Sequence, residues 1–105
     1  MRPKLVPLSE TMHLIMLSLL EPKHGYAIME EVRQMSDGEV NIAAGTLYGA
    51  VENLKKNDYI EFVSPVGERK KVYGLTELGR SILSDENKRF VQMTQLYEDR
   101  GSFDD

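Results

Sequence analysis

The segment 45–57 has residue types and spacing that could contact a large ligand. Its apolar residues recur at the spacing of a helix with one buried face, and they are Leu47, Ala50, Val51 and Leu54. Because each residue turns a helix by about 100°, the other side carries Gly45, Tyr48, Gly49, Glu52, Lys55 and Lys56. In helix-turn-helix proteins such a side enters the major groove of DNA, with the first residues nearest the base edges. We therefore expect Gly45, Thr46 and Tyr48 to lie where a duplex would be read.

Three consecutive cations, Arg69, Lys70 and Lys71, could contact a polyanion. These cations follow the stretch 65–68, whose proline and glycine predict a turn. Cations at the tip of a hairpin can reach phosphates or the minor groove beside a groove that a helix occupies. Solvated lysines are common on any surface, so this interpretation depends on their position more than on their charge. The residues that we assign to DNA contact are Gly45, Thr46, Tyr48, Gly49, Lys55, Arg69, Lys70 and Lys71.

The elements that would hold these residues are three helices, a hairpin and a long last helix. The pattern predicts helices over 9–21, 26–36 and 45–57, strands over 59–64 and 70–75, and a helix over 76–97. Ser9 and Thr76 are suitable caps for the first and last helices, and the Asp37-Gly38 pair is suited to end the second.

This order of elements predicts an α+β protein that is mostly α. The architecture expected is a winged helix-turn-helix with an appended C-terminal dimerisation helix. We assign residues 1–75 to the DNA-binding domain, 76–100 to the dimerisation helix and 101–105 to a frayed tail.

Several short motifs occur in a fixed order along about residues 8–84. They are His24-Gly25-Tyr26 with Ile28, Gly45-Thr46-Leu47-Tyr48 followed by Leu54, Tyr59 and Ile60, Gly67-Glu68-Arg69-Lys70-Lys71-Val72-Tyr73, Leu75-Thr76, and Gly79. Together they resemble the PadR family of bacterial transcriptional regulators, in its short, single-domain type. The resemblance implies a winged-helix homodimer, usually a repressor, that binds a pseudo-palindromic operator. It also implies that Thr46 and Tyr48 lie on the recognition helix and that the cations at 69–71 lie on the wing.

Two residues depart from the pattern of that family. Gly49 stands where relatives commonly have proline, which costs about 1 kcal/mol of helix propensity relative to alanine but allows close approach to the backbone. Ala44 stands where a serine is common, so the helix lacks an evident side-chain cap. From the short C-terminal segment we expect no large effector domain.

The last helix carries apolar residues too far along the chain for a small winged domain to cover them all. The residues that we assign to dimerisation are Leu78, Ile82, Phe90, Met93, Leu96 and Tyr97. A second chain could cover them, whereas a frayed helix end is the alternative explanation. A two-fold homodimer would present two recognition helices to half-sites about 34 Å apart, one turn of the duplex.

Composition limits the size of the core and the kinds of site that the protein can hold. A chain of 105 residues, 41% of them hydrophobic, predicts one domain with a modest core. The absence of cysteine excludes disulfides, thiolate metal sites and cysteine nucleophiles. The longest apolar run, 14–20, is far shorter than the roughly 20 residues that span a bilayer, and no signal-peptide cleavage site follows it. We therefore expect a cytoplasmic protein without membrane contact.

Neither catalysis nor a cofactor is expected. His13 lies in an apolar helix and His24 in a turn, and neither has the ligand spacing of a metal site. The four methionines of the first two helices suit core filling, and they also suit an adaptable apolar pocket. PadR-family members include proteins that respond to phenolic acids or drug-like aromatic compounds, so the resemblance implies a small apolar or aromatic effector of unspecified identity.

The net charge of −4 and a pI of about 5.2 argue against a protein that coats nucleic acid nonspecifically. This net charge is compatible with two functions. One is a sequence-specific regulator that binds double-stranded DNA, and the other is a dimeric winged-helix adaptor that binds a protein partner instead. Binding to the DNA upstream of its own gene at several salt concentrations distinguishes them.

Overall fold

The computed structural model describes residues 2–63 and 71–101. Along this part of the chain the elements are α1 Glu10–Ser18, β1 Lys23–His24, α2 Gly25–Met35, α3 Ala44–Lys56, β2 Ile60–Phe62, β3 Val72–Leu75 and α4 Glu77–Gly101. The strands form one antiparallel sheet in the order β1-β3-β2. Three helices with a small antiparallel sheet form a winged helix, and α4 is the helix appended to it. The mostly helical α+β winged-helix fold predicted from the sequence is confirmed.

α1 begins at its predicted cap and ends earlier than predicted. The Ser9 hydroxyl accepts a hydrogen bond from the Met12 amide at 3.1 Å. After Ser18 the next two amides donate to carbonyls three residues back, and the Lys23 ammonium donates to the Ser18 carbonyl. Because these bonds satisfy the last carbonyls, the helix ends at Ser18 although the apolar sequence continues.

α2 and α3 form the helix-turn-helix, and Ser36 organises the connection between them. Its hydroxyl donates to the Val32 carbonyl at 2.9 Å and accepts from the Val40 amide at 2.9 Å. Gly38 has a φ of 80°, in the left-handed region that glycine tolerates. The Asp-Gly pair therefore marks the end of α2, as the sequence predicted.

β2 and β3 are the two strands of the predicted hairpin, with Ile60 opposite Leu75 and Phe62 opposite Tyr73. Residues 64–70, which include the predicted turn and the predicted ends of both strands, lie outside the described residues. β1 was not predicted, because two residues are too few to show an alternating pattern. It pairs with the other edge of β3, which makes β3 the central strand.

α4 begins with a cap and a close backbone contact. The Thr76 hydroxyl accepts a hydrogen bond from the Gly79 amide at 2.9 Å, which confirms its predicted role as a cap. A side-chain carbon on Gly79 would overlap the carbonyl oxygen of Tyr59, so only glycine fits there. The helix includes Gly101 and so extends beyond its predicted end, and the remaining residues of the predicted tail, 102–105, are not among those described.

The core lies between the helices and the sheet. Its buried residues are Leu8, Ile15, Met16, Leu19, Ile28, Val32, Leu47, Val51, Leu54, Tyr59, Ile60, Tyr73, Leu75, Ile82 and Leu83. Ile82 is only 5% exposed, which corrects its assignment to the dimer surface, because the first half of α4 packs on its own chain. From Phe90 to Arg100 every side chain of α4 is exposed. No helix within residues 2–63 and 71–101 is long and apolar enough to cross a membrane.

Candidate nucleic-acid interface

α3 has one buried side and one open side. Leu47, Val51 and Leu54 are at most 1% exposed, so the predicted apolar stripe lies in the core. The other side exposes the four residues at its start that were predicted to meet DNA, Gly45, Thr46, Tyr48 and Gly49. A side-chain carbon at either glycine would meet no atom of the described chain within 4 Å. A partner could therefore approach the helix backbone closely at these two positions.

The first backbone amides of α3 lie before the first hydrogen bond of the helix. The first helical bond of this segment runs from the Leu47 amide to the Ala43 carbonyl at 2.9 Å. The amides of residues 44–46 therefore have no partner within the helix, and amides at a helix start can bind a phosphate oxygen. The capping residue is Ala43, one position before the predicted Ala44, and it makes no side-chain capping bond.

Tyr48 is 46% exposed and contacts the first residue of α2. A side-chain carbon on Gly25 would lie 2.5 Å from the Tyr48 hydroxyl oxygen and 3.0 Å from the ring carbon that bears it. Glycine at this position leaves the space that the hydroxyl occupies. The sequence marked Gly25 only as part of a motif and did not predict this contact. The next residue, Tyr26, is 68% exposed and is a further candidate on the same turn.

Tyr73 lies on β3 and is nearly buried. Burial raises the pKa of its phenol, and the neighbouring Tyr48 and Glu52 raise that pKa further.

Two lysines contact the ring of Phe62. The Lys55 ammonium lies 3.9 Å from the ring centroid and the Lys71 ammonium 5.2 Å from it, both within the range of a cation–π interaction. The Lys55 ammonium also lies 3.5 Å from the carboxylate of Glu52. The structure thus brings together two of the cations predicted to contact DNA, one from α3 and one beside β3.

The sequence did not predict a role for Phe62. Its alternation with Ile60 served only to predict a strand, and in that strand Ile60 is 2% exposed whereas Phe62 is 43% exposed. The signal available in the sequence was an aromatic residue between two lysine pairs, 55–56 and 70–71. The other two predicted cations, Arg69 and Lys70, lie outside the described residues.

The apolar side chains of α4 form a second exposed surface. The exposed fractions of the residues predicted to dimerise, other than Ile82, are 49% for Leu78, 47% for Phe90, 52% for Met93, 44% for Leu96 and 70% for Tyr97. Val91 is also 70% exposed and was not predicted. With Leu17, Leu20 and Leu83 it lines a groove of about 700 Å³ between α1 and α4.

Within the described residues no group of three or more histidine, aspartate or glutamate side chains is placed to hold a metal ion. His13 is 8% exposed, and its ring meets the ring of Phe90 edge-on, with centroids 5.0 Å apart. His24 pairs with Val72 in the sheet and directly precedes α2. Both histidines therefore contribute to the packing of the chain, His13 through its ring contact and His24 through strand pairing.

Comparison with known proteins gives one family. The model for the PadR-like family of transcriptional regulators matches residues 14–85. A transcriptional regulator from Clostridium thermocellum is similar in structure, with a TM-score of 0.75 and 22% identity over 97% of this chain and 100% of that one. RosR of H. salinarum has a TM-score of 0.71 and 25% identity over 86% of this chain and 80% of its own. Bordetella bronchiseptica BpsR, whose DNA binding is regulated by 6-hydroxynicotinic acid, has a TM-score of 0.69 and 18% identity over 92% and 68%.

Proposed function

The chain belongs to the PadR-like family of transcriptional regulators, and from that premise we propose that it binds double-stranded DNA as a homodimer and represses transcription at a pseudo-palindromic operator. The observation that carries the proposal is the outer side of α3, where Tyr48 is exposed between two glycines that leave the backbone open. In helix-turn-helix proteins that side of the second helix lies in the major groove. Thr46 and Tyr48 are the side chains that we assign to the base edges.

The contacts to the DNA backbone come from cations beside this helix. Lys55 lies on the last turn of α3, and Lys71 lies just before β3. Phosphate contacts carry no sequence information but hold a protein in register on the duplex. Because the net charge is −4, the attraction to DNA depends on local cations rather than on the whole chain. Arg69 and Lys70 remain sequence predictions for the same role.

A second copy of the chain is the partner that we propose for the apolar surface of α4. The groove between α1 and α4 and the exposed side chains from Phe90 onward adjoin each other through Val91. In a two-fold dimer the same surfaces face each other, so each copy would cover both features of the other. Exposed apolar side chains grouped along one helix are typical of an interface. The two α3 helices would then meet half-sites about 34 Å apart.

We further propose that a small apolar or aromatic effector releases the protein from DNA. Its support is the family resemblance and the similarity in fold to BpsR, since 6-hydroxynicotinic acid is a small aromatic acid. Release of a bound duplex on addition of candidate compounds measures this part separately from DNA binding itself.

Binding to the duplex upstream of its own coding sequence, measured at several salt concentrations beside a scrambled duplex, tests the proposal. We expect tighter binding to the upstream duplex and an affinity that falls with salt, because cation contacts release counterions. Tyr48→Ala should abolish the preference for the upstream duplex. Lys71→Ala should weaken binding to both duplexes alike and reduce the salt slope by about 0.9. Salt-independent binding, or none, would overturn the proposal and favour the dimeric winged-helix adaptor.

A further inference from the structure

The ring of Phe62 is a shared contact between two cations that come from different parts of the chain. Lys55 belongs to the last turn of α3, whereas Lys71 precedes β3. Their ammonium groups lie 3.9 Å and 5.2 Å from the centroid of the same ring. The Lys55 side chain is 28% exposed and Lys71 is exposed, so a ligand could reach both side chains from solvent while they remain on the ring.

The ring itself is held by a buried neighbour. Phe62 stands opposite Tyr73 in the pairing of β2 with β3, and the two ring centroids are 5.1 Å apart. Tyr73 is 5% exposed and belongs to the core. The position of the Phe62 ring is therefore set by the sheet and not by the lysines.

An aromatic face carries partial negative charge and attracts an ammonium group. This attraction offsets the repulsion between two nearby ammonium groups, and it restricts the lysine side chains before any polyanion arrives. Ordering side chains in advance reduces the entropy lost on binding. Glu52, whose carboxylate lies 3.5 Å from the Lys55 ammonium, is exposed and can give up this pairing to a phosphate.

We propose that Phe62 is a positioning residue that holds Lys55 and Lys71 as a preformed pair of phosphate contacts between the recognition helix and the wing. The inference rests on the proposed function. It adds a residue that acts on DNA affinity through the two lysines and not through a base or phosphate of its own.

The test is the salt dependence of binding to a fluorescein-labelled duplex of mixed sequence, because phosphate contacts need no operator. Phe62→Leu should weaken binding about 3- to 10-fold. Because both lysines stay charged, the salt slope should fall by less than the about 1.8 that removal of both contacts would cost, at about 0.9 for each contact. Phe62→Tyr keeps an aromatic ring and should retain both the affinity and the slope.

A double-mutant cycle separates positioning from a purely structural role. In the Lys55→Gln/Lys71→Gln background, Phe62→Leu should cause no further loss of affinity, because the ring no longer has an ammonium group to hold. An equal loss in both backgrounds would overturn the inference. Melting temperatures show whether each variant is folded at the assay temperature.

A measurement without DNA keeps the inference testable if Phe62→Leu unfolds. In the unaltered protein the ε-methylene protons of Lys55 and Lys71 should be shifted upfield by the ring current of Phe62, and unshifted resonances would overturn the inference. If the unaltered protein binds no duplex, the proposed function fails and the inference fails with it. If that protein binds in a salt-dependent way and Phe62→Leu binds equally well, only the inference fails.

Discussion

The hydroxyl oxygen of Tyr48 fills the space beside Gly25, where a Cβ atom would lie only 2.5 Å from it. This contact joins the exposed side of α3 to the first residue of α2. The direction of the side chain that we assign to the base edges is therefore set by a glycine on the preceding helix.

Gly25→Ala should turn the Tyr48 ring away from its position and reduce the preference for the upstream duplex over a scrambled one. We expect a loss of about tenfold or more, in the range of about 1–3 kcal/mol for one base contact. Titration of both duplexes measures it. In the Tyr48→Ala background, where that preference is already absent, the same alanine should leave the affinity for both duplexes unchanged, and a loss of affinity there would point instead to damage in α2.

Gly79→Ala and Gly49→Ala should change stability in opposite directions. A side-chain carbon on Gly79 would overlap the Tyr59 carbonyl oxygen, which is backbone and cannot move aside freely. We expect a loss of about 1–3 kcal/mol or more in the free energy of unfolding. On α3 the same change at Gly49 meets open space and should add up to about 1 kcal/mol through helix propensity. Urea denaturation compares them, and a similar loss from both would contradict the close contact at Gly79.

Met93→Glu should dissociate the proposed homodimer. Met93 is 52% exposed in the single chain, and a dimer that covers it would bury an unpaired carboxylate on each subunit. We expect the dimer dissociation constant to rise at least about 100-fold, since an unpaired buried charge costs several kcal/mol. Sedimentation velocity reports the change in mass.

Gln92→Glu is the matched control for Met93→Glu, because it adds the same charge at the neighbouring exposed position, outside the apolar set. It should leave the dimer intact. A protein that is already monomeric without any substitution would refute the dimer.

Glu86→Gln should reduce stability in a way that depends on pH. Glu86 is 3% exposed, accepts a hydrogen bond from the Leu8 amide at 2.8 Å and pairs with Arg89. Burial acts to raise the pKa of this carboxyl, but the Leu8 amide and the Arg89 guanidinium outweigh it and hold the pKa below its ordinary value of 4.5. At neutral pH we expect a loss of about 1–3 kcal/mol.

The sign of the pH effect follows from the lowered pKa. The contribution of Glu86 is complete above the ordinary carboxyl pKa and is lost as pH falls through the lower value of the folded state. The difference between Glu86→Gln and the unaltered protein should therefore shrink below about pH 4.5. Glu30→Gln removes an exposed pair of the same spacing with Arg33 and should change stability little. Urea denaturation from pH 3 to 7 measures both, and a difference independent of pH would contradict this account.

The two sides of α3 could be predicted from the sequence because helical periodicity is a local property. Spacing predicted a buried stripe, which the structure shows as three buried residues and a partly buried Ala50: Leu47, Ala50, Val51 and Leu54. Tyr48, Gly49 and Glu52, which lie between them, are exposed as expected. The same holds for the cap at Thr76 and the glycine that ends α2, since each acts within a few residues of its own position. The order of the helices and the hairpin therefore follows from the sequence alone.

What the tertiary structure decided depends on contacts between distant segments, which spacing along the chain does not encode. The sequence shows a broken apolar stripe along α4, yet Ile82 and Leu83 pack on their own chain, whereas the residues from Phe90 onward are exposed. Gly25 and Phe62 acquire their roles only because α2 meets Tyr48 and because β2 lies beside Lys55. Residue type and periodicity determine which side of an element is apolar, but only the packed arrangement determines which neighbour that side meets.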